Sequence, residues 1–242
     1  MTLPKNVWVL GASGGIGLAF AKQVRQNVHS VRLIGFARHL EKIPAGLFDE
    51  IYPVDFEHKD QFSAQLTTFN TLNAPDWLFI ATGWLHDENT KPEKTYQSLN
   101  AEHLMRSYHL NAVAPSLFIQ AVLQQFGVKQ ATKIGVLSAR LASITDNRMG
   151  GWHSYRASKV ALNMLLKNFA LELTRKRSNS IVFAIQPGTT DTALSKPFQK
   201  GLPANQLQTP EFTAEKIFDL FQQATIELSG NFIDFEGRLI AP

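Results

Sequence analysis

Four glycines, Gly11, Gly14, Gly15 and Gly17, fall within seven residues, directly after the apolar run Val7 to Leu10. Beyond them Ile16, Phe20, Ala21 and Val24 recur at helical spacing. A short apolar run with β-branched residues suits a strand covered on both faces of a parallel sheet. Strand, glycine turn and helix, in that order, bring a helix N-terminus with unpaired N–H groups and partial positive charge against an anion. Gly11 permits the tight turn, Gly15 lets backbone approach a pyrophosphate, and Gly17 lets the helix pack close to the strand. The stretch is therefore read as a dinucleotide cradle made by Gly11, Ser13, Gly14, Gly15, Ile16 and Gly17. Its G-x-x-x-G-x-G spacing differs from the G-x-G-x-x-G of most dinucleotide folds. The same glycines interrupt the apolar run too often for a secretory leader.

The chain repeats this alternation. Further strands are predicted over 31–38, 51–54, 75–83, 132–137, 180–186 and 231–235. Helical spacing is found through Phe62, Leu66 and Phe69, and over 101–126, 153–176 and 213–224. Residues 140–151 read as a loop, and the proline-bearing, polar segment 189–210 as an exposed flap. Strands separated by helices of ten or more residues imply right-handed crossovers and a parallel sheet. The predicted fold is α/β: a single doubly wound, Rossmann-type domain over 1–242, about seven parallel strands with helices on both faces. Its site belongs at the carboxyl ends of the strands.

Composition narrows the function classes. At 44% apolar and 18% charged residues the chain reads as an ordinary soluble protein. The excess of 24 basic over 20 acidic residues is small and scattered, which argues against nucleic acid. With no cysteine there is neither disulfide nor thiolate chemistry, in keeping with a cytoplasmic location. No run approaches the roughly 18 apolar residues of a membrane helix. The 7 histidines form no metal-binding pattern with acidic residues.

The residues at the predicted strand ends carry the chemistry. About 20 residues past the glycine turn a dinucleotide fold reads the adenosine ribose, commonly with an acidic residue for NAD. Ala37 and Arg38 stand there instead. A small neutral side chain leaves room for a 2'-phosphate, and a guanidinium can clamp it, so the pair favours NADP(H) over NAD(H). An ordinary surface arginine is the alternative. Ser138 ends the fifth predicted strand, and the helix after it carries Tyr155 and Lys159, four apart and so on one helix face. A cation about 4 Å from a phenol is worth roughly one to three pKa units between near-surface and bulk-water dielectrics. Lys159 is thus expected to draw Tyr155 down toward the working pH, with Ser138 donating to an oxygen that gains negative charge.

GASGGIG, Ala37-Arg38, Asp55, Asn111, Ser138, YRASK and PGTTDT fall in the order found in short-chain dehydrogenase/reductases, and the chain resembles that family over almost its whole length. More narrowly, 83–94, 138–159 and 161–173 resemble the C-factor-like branch, which is similar to small carbonyl reductases. The resemblance implies an oxidoreductase interconverting a carbonyl and an alcohol, with a small-molecule substrate and Asn111, Ser138, Tyr155 and Lys159 as its catalytic set. It implies Asp55, beside Phe56, at the adenine; a strand-end aspartate capping the next helix is the alternative. Ala81, Thr82 and Gly83 stand where the family usually shows N-N-A-G, so the position matches in shape more than in side chains. Pro187 and Gly188 match the P-G beside the nicotinamide, with Thr189, Thr190 or Thr192 contacting the cofactor. The helices at 101–126 and 153–176 resemble those through which the family forms homodimers and homotetramers. The branch also carries an alternative, a cofactor-binding signalling protein in which turnover is incidental. Nucleotide-sugar epimerase or dehydratase chemistry fits less well, since few residues follow Gly188.

Overall fold

A computed structural model describes residues 3–58, 72–127, 130–203 and 206–242. Strands β1 (Asn6–Leu10), β2 (Arg32–Ala37), β3 (Glu50–Pro53), β4 (Trp77–Ile80), β5 (Lys133–Leu137) and β6 (Ile181–Gln186) join one sheet, with β7 (Thr189–Thr190) and β8 (Leu207–Gln208) apart and β9 (Phe232–Asp234) at its edge. The sheet order is β3-β2-β1-β4-β5-β6-β9, and every pairing is parallel. That is the doubly wound arrangement predicted above, with the order reversing between β1 and β4.

The register follows from alternation along the strands. Val7 and Val9 face one layer and Trp8 and Leu10 the other, all buried. On the first face lie α1 (Gly15–Asn27) and α5 (Pro210–Gln223); on the second α3 (Ala114–Phe126) and α4 (His153–Arg175), preceded by α2 (Ala101–Tyr108). Leu10 pairs with Phe36 and Ile80, Ile80 with Val136, and Leu137 with Ile185, so the strands end along one edge. The residues that follow, Gly11, Arg38, Ala81, Ser138 and Pro187, therefore line that edge.

Three sequence expectations are amended. The predicted single helix over 101–126 is interrupted by a π turn, His109–Val113, between α2 and α3. The flap at 189–210 contains the two-stranded ribbon β7–β8 and a short 3-10 turn, Lys196–Phe198. The last helix starts at Pro210 rather than Thr213, because the Thr209 hydroxyl accepts the Phe212 N–H and Pro210 takes a first-turn place where no N–H is needed. The helical spacing through Phe62, Leu66 and Phe69 lies outside the described residues. Among the described residues no helix is long and apolar enough to cross a membrane.

The first layer is held by Phe221, whose ring lies 5.4 Å from Phe20, 5.3 Å from Trp77, 5.5 Å from Phe183 and 6.0 Å from Phe79. It is fully buried and ties α5 to the sheet and to α1. Phe221→Ala is expected to cost about 3–5 kcal/mol. Urea titration checks this: the midpoint should fall with little change in slope, and an unchanged midpoint would mean the cluster closes over the gap.

Candidate active site

The strand order reverses at a cleft of about 600 Å³ between the ends of β1 and β4. One wall is the glycine turn, represented by Gly11, Ser13, Gly14, Gly15 and Ile16. Gly17 lies beneath it, buried, where a β-carbon would stand 2.3 Å from the Gly11 carbonyl oxygen. On Gly15 a β-carbon would meet Thr192 Cγ2 at 2.7 Å. The turn thus brings bare backbone N–H groups to the cleft at the start of α1, whose first turn has neither a side-chain cap nor an acidic residue. Across the cleft, Ala81, Thr82 and Gly83 form the opposite wall, and the buried Thr82 hydroxyl has no hydrogen-bond partner among the described residues. Unpaired donors on one side and an unsatisfied hydroxyl on the other fit a dinucleotide with its pyrophosphate over α1.

At one end Ala37, Arg38, Asp55 and Phe56 border the cleft together, and His39 and Lys42 join them. Arg38 Nε donates to His39 Nε2 at 3.1 Å. Three basic side chains therefore gather at this strand end, with the Glu41 carboxylate 3.3 Å from His39 Nδ1. Lys42 was not singled out in the sequence; its position in the turn Leu40–Lys42 after β2 is a matter of loop geometry. Asp55 accepts the Glu57 N–H at 2.9 Å, so part of its role is the local turn. The Phe56 carbonyl lies 2.7 Å from His109 Nε2.

At the other end Ser138, Tyr155, Lys159, Pro187 and Thr192 close the cleft. Ser138, Tyr155 and Lys159 are 4%, 7% and 2% exposed. Lys159 Nζ donates to the Leu137 carbonyl at 2.9 Å and lies 5.9 Å from the centre of the Tyr155 ring. Ser138 Oγ donates to Asn163 Oδ1 at 2.7 Å. The sequence gives Asn163 no signal beyond its place on the helix face shared by residues 155, 159 and 163. Asn111 is buried behind the cleft: its amide oxygen accepts the Trp84 N–H at 2.7 Å, and its nitrogen donates to the Trp84 carbonyl at 2.8 Å and to Ser158 Oγ at 3.0 Å. The π turn carries it there, and nothing in the apolar spacing announces that turn.

Gly188, Thr189 and Thr190 border a second cavity of about 360 Å³ that shares Ser138, Tyr155 and Thr192 with the first. Thr190 Oγ1 is bonded to Thr213 Oγ1 at 2.9 Å, so its hydroxyl points to α5. Of the three threonines only Thr192 borders both cavities. The second cavity's remaining wall is mainly apolar, with Leu141, Trp152, Leu194, Phe198 and Leu202.

The two ionisable groups correct the expected electrostatics. Burial pushes the Tyr155 phenol well above its ordinary range, so in the ligand-free protein it is not drawn down by Lys159. The same burial lowers Lys159 to about 8. Both charged forms lose water at this end of the cleft, and that loss is the cause of both shifts. Nearby, Glu93 is pushed up by burial, but the Ser154 hydroxyl and N–H and His103 outweigh that and hold it below the usual carboxylate range.

A glycine-turned cleft at the switch point of a parallel sheet, closed by a serine, a tyrosine and a lysine, defines a Rossmann-type fold. Residues 5–203 match the short chain dehydrogenase family, and the chain belongs to that family of oxidoreductases. It is 31% identical over 238 residues to 1-hydroxy-2-glutathionyl-2-methyl-3-butene dehydrogenase of Rhodococcus sp. (strain AD45), covering 97% of this chain and 98% of that one. C-signal of Myxococcus xanthus is 25% identical over 134 residues, 55% of this chain and 75% of that protein. The NADPH-bound carbonyl reductase from chicken fatty liver shares the fold with a TM-score of 0.83 at 21% identity, covering 98% of this chain and 99% of that one. The expected family is thus borne out.

The lysine makes a stability test. Its folded-state pKa of about 8 lies below the unfolded value near 10.4, so the unfolded chain holds more protons between those values and stability rises with pH there. The tyrosine, shifted upward, acts oppositely above about pH 10, where only the unfolded phenol ionises. Between about pH 8 and 10 the ligand-free protein should gain stability relative to Lys159→Met, which lacks this slope. Denaturant unfolding at several pH values reads it; parallel curves would count against a buried ammonium.

Proposed function

We propose that the chain is an NADP(H)-preferring oxidoreductase that interconverts a carbonyl and an alcohol on a small molecule, with Tyr155 carrying the proton. One observation bears most of the weight: Ser138, Tyr155 and Lys159 border the same cleft as the glycine turn and Arg38. The glycine turn would hold the pyrophosphate, Arg38 and Lys42 the 2'-phosphate, Asp55 and Phe56 the adenine side, and Thr192 with Pro187 the nicotinamide side. Lys159 would hold the nearby ribose. When bound, the nicotinamide supplies or takes the hydride.

The chain's own residues handle the oxygen. In the reducing direction the carbonyl oxygen gains negative charge, and Ser138 turns its hydroxyl from Asn163 to donate to it. Tyr155, kept protonated by burial, gives its proton to the same oxygen. Lys159, anchored on the Leu137 carbonyl, puts positive charge near the phenol as it ionises. Asn111 fixes the wall behind them. The NADPH in the chicken carbonyl reductase and the hydroxy compound in the name of the Rhodococcus relative both support this reading.

A second reading, a cofactor-binding signalling protein with incidental turnover, is favoured by the likeness to C-signal. Tyr155→Phe separates the two. For an enzyme it should lower kcat about 10²-fold or more while NADPH still binds. A Tyr155→Phe protein with full biological effect would favour signalling.

Cofactor choice is tested by calorimetry. Arg38→Asp should weaken NADPH by about 1.5–3 kcal/mol and NADH far less, since a charge-assisted contact to the extra phosphate is lost. Equal weakening would remove the clamp. We further propose a homodimer or homotetramer in the cytoplasm. Met105, Tyr108 and Leu117 on α2 and α3 and Met164 and Leu171 on α4 are exposed apolar side chains. Burial in a second copy would cover them. Light scattering of the purified protein should give a multiple of 27.0 kDa, and a monomer would refute it.

A further inference from the structure

Glu93 is 3% exposed, and the chemistry proposed above makes no use of it. Its carboxylate accepts the Ser154 N–H at 3.3 Å and the Ser154 hydroxyl, and its backbone carbonyl accepts the Trp152 N–H at 2.5 Å. Those groups belong to the first turn of α4. A helix start leaves four N–H groups unpaired, and here Trp152, at the capping place, supplies no side-chain cap and sits at φ 51°, in the left-handed region. Glu93 supplies the cap from outside the helix.

The same segment grips α4 a second time. Trp84 is bonded through both backbone groups to Asn111, and Asn111 donates to Ser158. His103 joins the two grips, with Nδ1 3.2 Å from Glu93 Oε1 and its ring edge-on to Trp84 at 5.1 Å. Ser154 directly precedes Tyr155, and Ser158 directly precedes Lys159. Residues 84–93 are therefore fastened to α4 immediately before each member of the pair. Trp152, pinned by the Glu93 carbonyl, packs on Phe198 at 4.6 Å and on Tyr155 at 6.4 Å, and forms a wall of the second cavity.

We propose that Glu93 is a positioning residue: by capping α4 from the 84–93 segment it sets where Tyr155 meets the substrate oxygen and where Trp152 walls the substrate. The inference rests on the carbonyl-reducing reading given above. A carboxylate that only stabilised the fold would lower thermal stability and leave turnover by the folded protein alone. A positioning role acts on turnover, because small misplacements of a reacting group cost rate steeply.

The test uses the full chain with NADPH and whichever compound the wild type reduces fastest in a panel of aldehydes, ketones and quinones. Glu93→Ala should lower kcat about tenfold or more and raise KM for the carbonyl compound, with NADPH affinity unchanged. Glu93→Gln, which keeps an oxygen for Ser154, should recover most of both. Ser154→Ala, which leaves the backbone bond in place, serves if Glu93→Ala does not fold, and should lower kcat without changing NADPH affinity. Unaltered kcat and KM in the folded variants would overturn the proposal, as would a loss of NADPH binding in step with the loss of rate. A wild type that reduces nothing in the panel would remove the carbonyl reading and this inference with it. An active wild type beside indifferent variants removes this inference alone.

Discussion

A β-carbon on Gly17 would stand 2.3 Å from the carbonyl oxygen of Gly11, well inside van der Waals contact, so α1 reaches β1 only because that position carries no side chain. The close approach brings the positive end of α1 to the carboxyl edge of the sheet. It also sets the height of the cleft floor. Across that floor the parallel register of β1, β4, β5 and β6 brings Ala81, Ser138 and Pro187 to the same edge. The cleft is thus a consequence of strand pairing, and the glycine turn is the part of it that tolerates least change.

The narrow end of the cleft is held at an energetic disadvantage. A buried phenol resists ionising and a buried amine resists protonation, and both shifts have one cause, loss of water. The Leu137 carbonyl compensates the lysine in part, and Asn163 occupies the Ser138 hydroxyl. Around it, aromatic rings gather round Phe221 on one face of the sheet, and Trp8 packs on Phe36 and Phe126 on the other. Functional sites commonly break local rules that the surrounding fold obeys.

How much of this could be read from the residues alone depended on the range of the interaction. The parallel strands and the glycine turn were visible because apolar runs and glycine spacing are local signals, and Tyr155 and Lys159 share a face by spacing alone. Asn163 obeys the same spacing, yet its meaning depends on Ser138, which arrives from another strand. The direction of the Tyr155 shift is not legible in the sequence, because an attraction can be counted from two residues, whereas burial needs the whole wall. Glu93 and Trp152 come from distant parts of the chain, and no local spacing pairs them. The threonines after Gly188 could not be separated until β7 paired with β8 and turned Thr190 toward Thr213.

The π turn at His109–Val113 has a consequence for how the two helices around it relate. Such a turn holds an extra residue compared with an α turn, so α2 and α3 run on through one another while their faces fall out of phase by about 100°. Met105 and Leu117, both outward and exposed, lie on opposite sides of that phase slip. Removing a single residue between them would restore an unbroken spiral and swing one set of side chains a quarter-turn or more around the axis. Asn111 would then leave its partners on the Trp84 backbone. Chain length in this short interval is accordingly as much a part of the molecule's specification as the identity of any side chain in it.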